Sequence, residues 1–220
     1  MDLYDAMRTT FAAREFTTDD VPDEALARIL ENARFAPSGG NRQGWKVIVI
    51  RDEAKRQALV PFITAVMSRY RAQVAAGENP YNTIHPSQVT QAQIDAANLA
   101  PSYVTQLVEA PVLLLVLVDL TVVASMDSDL DRVGVVSGAS IYPFAWNILL
   151  AARCEGYGGT LTTFLAPHEP EIKELFNIPD QYAISALLPI GKPVKQLTKL
   201  SRNPVSSFTT VDSFNGSEFE

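Results

Sequence analysis

Residues 133–152, VGVVSGASIYPFAWNILLAA, contain no charged side chain, and this stretch constrains the fold most. Its 20 residues would match the thickness of a membrane. However, Pro143, Asn147, two glycines and two serines interrupt it, and a helix that is apolar all round also suits the centre of a globular domain. Its apolar side chains recur at helical spacing: Ile141, Phe144, Ala145, Ile148, Leu149 and Ala152. We therefore predict a buried central helix, with Pro143 near its first turn or at a kink, and no membrane span.

Composition limits the classes of partner. The chain has 220 residues, 47% of them hydrophobic, which is enough for one domain spanning 1–220. A net charge of −7 disfavours nucleic acid and anionic membranes, so we expect a small-molecule partner. One cysteine and two histidines offer neither a disulfide nor a metal site, and the N-terminus lacks an apolar signal region. The expected location is the cytoplasm, and Cys154 is expected to be a buried small residue.

The rest of the chain alternates between helix and strand patterns. Residues 21–36 have helical apolar spacing after a proline and two acidic residues, and a second helix is expected from about Asp52 to Val74. The apolar runs predict strands at 45–50, at 112–118, which is apolar on both faces and hence central, and, less clearly because of Pro189, at 183–190. Residues 77–103 have no clear period and suit a functional loop or lid.

Three polar clusters remain after the usual nucleotide motifs are excluded. The chain has no G-x-G-x-x-G after a strand and no phosphate-binding P-loop, so a Rossmann nicotinamide fold is disfavoured. The clusters are Arg8-Thr9-Thr10, PSGGN at 37–41 and KLSRNPV at 199–205. Arginines and hydroxyls bind phosphate through charge-assisted hydrogen bonds, and glycines let the backbone approach a flat ring. Together they indicate a phosphorylated cofactor with an aromatic plane.

Segments of the chain resemble the nitroreductase family of flavoproteins in the same order. The segments that carry the resemblance are AREFTTDDVPDEALARILENARFAPSGGNRQGWKVIVIRD at 13–52, APVLLLVLVD at 110–119, WNILLAARCEGYGG at 146–159, LLPIGKP at 187–193 and SRNPV at 201–205. The likeness runs from about Arg8 to Val205. It implies an α+β fold with a central, mainly antiparallel sheet flanked by helices, built as an intertwined homodimer that binds FMN at the subunit interface.

The resemblance also implies which residues contact the cofactor. The residues placed at the phosphate or ribityl chain are Arg8, Thr9, Thr10, Arg202 and Lys199. Those lining one side of the ring are Pro37, Ser38, Gly39 and Asn41, and those covering its other side, from the partner subunit, are Gly159, Thr160, Leu161, Thr162 and Thr163. No catalytic acid or base and no metal ligand is assigned. Residues 192–220, apolar in places but without a core period, are expected to form an arm toward the partner.

Three positions depart from the family pattern. Phe11 or Ala12 stands where a second basic residue is often seen, which leaves the role of Arg14 open. Gly44 replaces a common proline, and Trp146 a frequent glutamine. The function implied is hydride transfer from NAD(P)H through FMN to a nitroaromatic, a quinone or another small conjugated acceptor. The alternatives are dehalogenation or flavin breakdown on the same fold, and an FMN-sequestering or regulatory protein without turnover.

Overall fold

A computed structural model describes residues 1–97 and 101–219 of the chain. The strands are β1 (Trp45–Val49), β2 (Val112–Asp119), β3 (Gly158–Gly159) and β4 (Tyr182–Gly191). The described helices are α1 (Leu3–Thr9), α2 (Asp23–Ala33), α3 (Glu53–Ala58), α4 (Val60–Ala75), α5 (Gln91–Asp95), α6 (Pro101–Val108), α7 (Tyr142–Cys154) and α8 (Glu169–Phe176). Short 3₁₀ turns cover Gly39–Asn41, Val136–Ser140, Ala166–His168 and Val205–Ser207.

The four strands form one antiparallel sheet in the order β1-β2-β4-β3. The predicted α+β class with an antiparallel sheet and flanking helices is thus confirmed. Strand β2 lies between β1 and β4, as its run of apolar residues on both faces predicts. Strand β4 also forms as predicted despite Pro189, whose carbonyl accepts from the N–H of Thr160. The N–H that proline lacks would face that same side, so the β2–β4 ladder stays paired.

Helices cover both faces of this sheet. Alternate residues of β2 point to opposite faces, and each face has its own apolar cluster. On one face Leu114 and Val116 pack with α2 and α7; on the other Leu113 and Leu115 pack with α4, α6 and α8. The predicted helix at 21–36 is confirmed as α2, with Ile29 fully buried.

The uncharged stretch at 133–152 is only partly the predicted helix. Helix α7 begins at Tyr142 with Pro143 in its first turn, and the six apolar residues predicted to face the core are all buried. The part before it forms an irregular segment and a 3₁₀ turn instead. The expectation for Cys154 was wrong: it is exposed, at the last residue of α7. Among the described residues, no helix has the length and apolar character to span a membrane.

Two further expectations need correction. The single helix expected at about 52–74 is two helices, since Leu59 ends α3 and Pro61 stands in the first turn of α4, where proline is tolerated. The stretch at 77–103, for which no helix was predicted, contains α5, capped by Thr90, and the start of α6. Its residues 98–100 lie outside the described part, and its role as a lid stays a prediction.

The C-terminal arm has little core of its own. The described residues after Lys192 contain one 3₁₀ turn and two isolated bridges, Pro193 with Phe16 and Thr210 with Glu218. The side chains of Phe208, Phe214 and Phe219 are 69%, 95% and 58% exposed.

Candidate functional site

The turn at 37–41 has local reasons for its unusual sequence. Gly40 and Asn41 both have positive φ, 61° and 52°, which glycine and asparagine tolerate best. Gly39 donates its N–H to Ser140 Oγ at 3.1 Å, and a Cβ on Gly39 would lie 3.4 Å from that oxygen. Ser38 Oγ accepts from the N–H of Gln43 at 2.9 Å, which closes the turn. Pro37, Gly39 and Asn41 are exposed and Ser38 is half-buried, so this rigid turn presents backbone and small polar groups to its surroundings.

The buried carboxylate of Asp127 stabilises the loop that leads to the partner of this turn, Ser140. Asp127 Oδ2 accepts from the N–H of Val135 at 2.7 Å and from Arg132 at 2.8 Å, and these hydrogen bonds lower the pKa of Asp127 to about 2. Its Oδ1 is buried and has no partner among the described residues. The loop that Asp127 organises leads into the 3₁₀ turn that carries Ser140. Asp127 therefore helps to position the Gly39 backbone.

The glycine at position 44, where the family pattern has proline, follows from close packing. A Cβ there would lie 2.6 Å from Val122 Cγ2 and 3.4 Å from the Asp119 carbonyl. The next residue, Trp45, stacks on Phe144 with ring centroids 4.7 Å apart, so it is a core residue rather than a ring partner for a ligand.

The segment after β3 extends the other edge of the sheet. Thr160 N donates to Pro189 O at 3.3 Å, while Thr162 exchanges two backbone hydrogen bonds with Leu187. The side chains of Thr160 and Thr162 are buried, Leu161 is half-buried and Thr163 is exposed. Because the backbone groups of 160 and 162 face β4, those of 161 and 163 face outward. No described residue accepts from the N–H of Leu161 or Thr163, so this edge has two free donors.

Gly159 itself is tightly enclosed. Its carbonyl accepts from Ala13 N at 3.0 Å, and a Cβ would lie 2.6 Å from Pro189 O and 3.0 Å from Leu149 Cδ2. Glycine is therefore needed here for close approach of backbones. Gly159 holds the free edge in place but offers a ligand little surface.

The third cluster lies at the C-terminal end of α1. Arg8 is exposed, with its guanidinium carbon 5.9 Å from the centre of the Tyr4 ring. Thr9 is half-buried, and Thr10 is buried with its hydroxyl donating to Ala6 O at 2.7 Å. Gln196 Nε2 donates to Thr9 O at 3.0 Å and so ties the start of the C-terminal arm to α1.

The two basic residues of the arm lie shortly after this tie. Lys199 and Arg202 follow Gln196 by three and six residues. Both are exposed, and the described contact of the Arg202 guanidinium is with the neighbouring Ser201 carbonyl at 2.6 Å.

Two features of this region were not predicted from the sequence. Arg153 Nε donates to Thr9 Oγ1 at 3.0 Å across a separation of 144 residues. A small cavity is lined by Arg14, Tyr103, Gln106, Leu107, Thr160 and Pro189. No local pattern marks either grouping, because each joins distant segments. Among the described residues, no group of three or more His, Cys, Asp or Glu side chains is placed to hold a metal ion.

The structure does not bring all predicted site residues together in one chain. The turn at 37–41 precedes β1, and the free edge at 161–163 follows β3. Strands β1 and β3 are the two edges of the sheet, separated by three strand spacings of about 14 Å in total. The α1 cluster lies on the β3 side, since Ala12 bridges to Gly159.

Comparison with known proteins identifies the fold. Residues 7–192 match the profile of the Nitroreductase family. The chain belongs to the nitroreductase family. It is 26% identical over 231 residues to the nitrobenzene nitroreductase of Ectopseudomonas oleovorans, covering 94% of this chain and 95% of that one. It is also 26% identical over 203 residues to an iodotyrosine deiodinase of Thermotoga neapolitana, covering 92% and 95%.

A solved structure supports the same assignment. Oxidized iodotyrosine deiodinase bound to FMN and 3-iodo-L-tyrosine superposes with a TM-score of 0.68 at 23% identity, covering 97% of this chain and 100% of that one. The nitroreductase-like fold that the sequence predicts is therefore confirmed.

Proposed function

We propose that the protein is an FMN-dependent oxidoreductase that transfers hydride from NAD(P)H through the flavin to a small conjugated acceptor. The observation that carries this proposal is the free backbone edge at Leu161–Thr163, beside the cavity that contains Arg14. A flat ring with hydrogen-bond acceptors on its edge fits an open strand edge with two unused N–H donors. Family membership supports the choice of flavin, since a solved relative of the same fold binds FMN.

We propose that the protein functions as a homodimer. The turn at 37–41 and the edge at 161–163 lie at opposite edges of one sheet, so a single chain cannot enclose a ring between them. A second copy can place its turn over the first copy's edge. Helices α1 and α7 contact each other, and several of their large apolar side chains are exposed: Leu3, Tyr4, Met7, Tyr142 and Trp146. Covering them and the aromatic arm at 192–220 would supply apolar area for the interface.

The roles proposed for the chain are binding and orientation. The flavin itself supplies the capacity to accept hydride and to release electrons singly or in pairs. The N–H groups of Leu161 and Thr163 would hold the ring edge, and the Arg14 guanidinium would favour negative charge nearby. Pro37, Ser38, Gly39 and Asn41 of the partner would cover the opposite face. We assign no side chain as a catalytic acid or base.

We place the phosphate end of FMN at the α1 cluster. Arg8, Lys199 and Arg202 are exposed cations on segments that meet there, and the half-buried Thr9 lies at the same helix end. The buried Thr10, Thr160 and Thr162 would act by shaping the site, because their side chains face inward and their backbone N–H groups are already bonded within the chain. NAD(P)H would dock transiently over the ring and leave before the acceptor binds. The single cysteine supports a cytoplasmic location.

Reductive dehalogenation is the second candidate. It is favoured by one observation: the chain is as similar to an iodotyrosine deiodinase, at 26% identity, as to a nitrobenzene nitroreductase. The two activities differ in the acceptor, so a panel of nitroaromatics, quinones and halogenated phenols separates them.

Anaerobic reduction tests the proposed function. We expect the visible absorption of the bound flavin to bleach within seconds to minutes after mixing with NADPH or NADH, and to return when an acceptor is added. A flavin that keeps its colour with both donors would contradict the oxidoreductase and would favour sequestration of FMN. The control is dithionite, which should bleach bound flavin in either case.

A further inference from the structure

Arg153, in the last turn of α7, is oriented by a hydrogen bond but has no ion-pair partner among the described residues. The residue is half-buried, and its Nε donates to Thr9 Oγ1 at 3.0 Å. The Thr9 hydroxyl donates its own proton to Asp5 O at 2.6 Å, so its free lone pairs can accept from Arg153. The neutral Thr9 hydroxyl thus pairs with Nε of the Arg153 guanidinium, and the two terminal nitrogens of the guanidinium remain for another partner.

The acidic residue nearest to Arg153 along the chain is already paired. Glu155 Oε2 accepts from Arg28 at 2.7 Å and 3.1 Å through two nitrogens. Among the described residues, no carboxylate lies within ion-pair distance of Arg153, whereas Arg132 and Lys192 each have an acidic partner. Partial burial of an unpaired cation is unfavourable, so an anion that binds here would gain a charge-assisted interaction.

The surroundings of Arg153 point to a phosphate. Gln196 donates to the Thr9 carbonyl, so the arm that carries Lys199 and Arg202 starts at the same end of α1. Where the family pattern often has a second basic residue, this chain has Phe11 or Ala12, neither of which carries a charge. A guanidinium fork matches two phosphate oxygens in a bidentate arrangement.

We propose that Arg153 binds the phosphate of the flavin mononucleotide and makes the protein selective for the phosphorylated cofactor over riboflavin. Its Nε stays on Thr9 while the terminal NH groups bind phosphate oxygens. Arg153 thereby supplies, from the end of α7, the positive charge that is absent at Phe11 and Ala12. This inference rests on the proposed function, because it concerns the same flavin site.

The test compares two flavins that differ only in the phosphate. Apoprotein is titrated with FMN and, separately, with riboflavin, and binding is followed by the quenching of flavin fluorescence. In Arg153→Gln we expect FMN affinity to fall by about tenfold or more, the effect of losing hydrogen bonds to a charged group, while riboflavin affinity stays within about twofold. Arg153→Lys should retain part of the FMN affinity, since it keeps the charge without the fork.

Two further variants complete the design. Arg28→Gln is the matched control, because it removes a nearby arginine that is already paired with Glu155, and it should leave both affinities unchanged. Thr9→Val keeps the charge of Arg153 but removes the hydroxyl that orients it, and it should lower FMN affinity alone by a few fold. This variant and Arg153→Lys also serve if Arg153→Gln does not fold, which circular dichroism would show.

The outcomes are distinct. Selective loss of FMN binding in the Arg153 variants supports the proposal. Wild-type FMN affinity in Arg153→Gln, or an equal loss for FMN and riboflavin, would overturn it while leaving the proposed function in place. A wild-type protein that binds neither flavin would overturn the proposed function and this inference together.

Discussion

Gly159→Ala tests the packing that holds the free edge beside β4. The Cβ of the new alanine would lie 2.6 Å from Pro189 O and 3.0 Å from Ile190 Cγ1. Pro189 O is a backbone atom and Ile190 Cγ1 belongs to a fully buried side chain, so neither can rotate away and the segment after β3 must shift outward. The Thr160–Pro189 hydrogen bond is already 3.3 Å long, and such a shift would break it.

The expected loss of stability has two parts. Overpacking a tight site costs about 1–3 kcal/mol, and a lost backbone hydrogen bond adds about 0.5–1.5 kcal/mol. The free energy of unfolding should therefore fall by about 1.5–4.5 kcal/mol in total, which for a domain of this size lowers Tm by roughly 3–18 °C. Flavin affinity should also fall, because the N–H groups of Leu161 and Thr163 move with the segment.

Urea unfolding of apoprotein, followed by circular dichroism, measures the first effect, and FMN titration measures the second. Gly134→Ala is the matched control: its Cβ would lie 3.6 Å from the nearest atom, an ordinary contact, so stability should stay within about 1 kcal/mol of wild type. If Gly159→Ala is as stable as the Gly134 variant, the segment has room that the structure does not show, and the packing argument is refuted.

Three other predictions follow from named contacts. Arg202→Ala should weaken FMN binding by about 1.5–3 kcal/mol without changing the apoprotein fold. Unchanged affinity in a flavin titration would show that Arg202 does not bind the phosphate. Truncation after Pro204 should abolish both the dimer in sedimentation and bound FMN, whereas a truncated protein that stays dimeric and yellow would show that the arm is dispensable. The pKa of Asp127 is lowered from 3.8 to about 2, so its stabilising effect is complete above about pH 4 and is lost as the pH falls toward 2. In acid unfolding, Asp127→Asn should therefore be less stable than wild type at pH 7 and closer to it near pH 2; a constant difference across this range would contradict the assigned role of the carboxylate.

The sheet and its two helical layers could be predicted because their signals are local. Strand β2 is apolar on both faces over consecutive residues, and the spacing of α2 marks one buried side. Pro61 also signals the break between α3 and α4, although the prediction joined them. Even the partial failure at 133–141 has a local sign, since Gly134 and Gly138 disfavour a helix there.

The arrangement of the candidate site could not be predicted in the same way. Arg153 meets Thr9, and Gln196 meets the Thr9 carbonyl, across separations of 144 and 187 residues. Such pairs depend on how α7 and the arm pack against α1, and no periodicity reports that packing. The burial of Thr160 and Thr162 depends likewise on the pairing of their segment with β4. The sequence indicated the chemical groups, but their directions follow only from the assembled sheet.

The most direct test of the central claim is to identify and count the cofactor. The purified protein should be yellow, should sediment as a dimer, and should release FMN on denaturation, with two FMN molecules per dimer, because each site uses the turn of one chain and the edge of the other. Release of FAD, or a colourless protein that takes up no FMN, would contradict the cofactor assignment. A monomer that binds FMN fully would contradict the shared site.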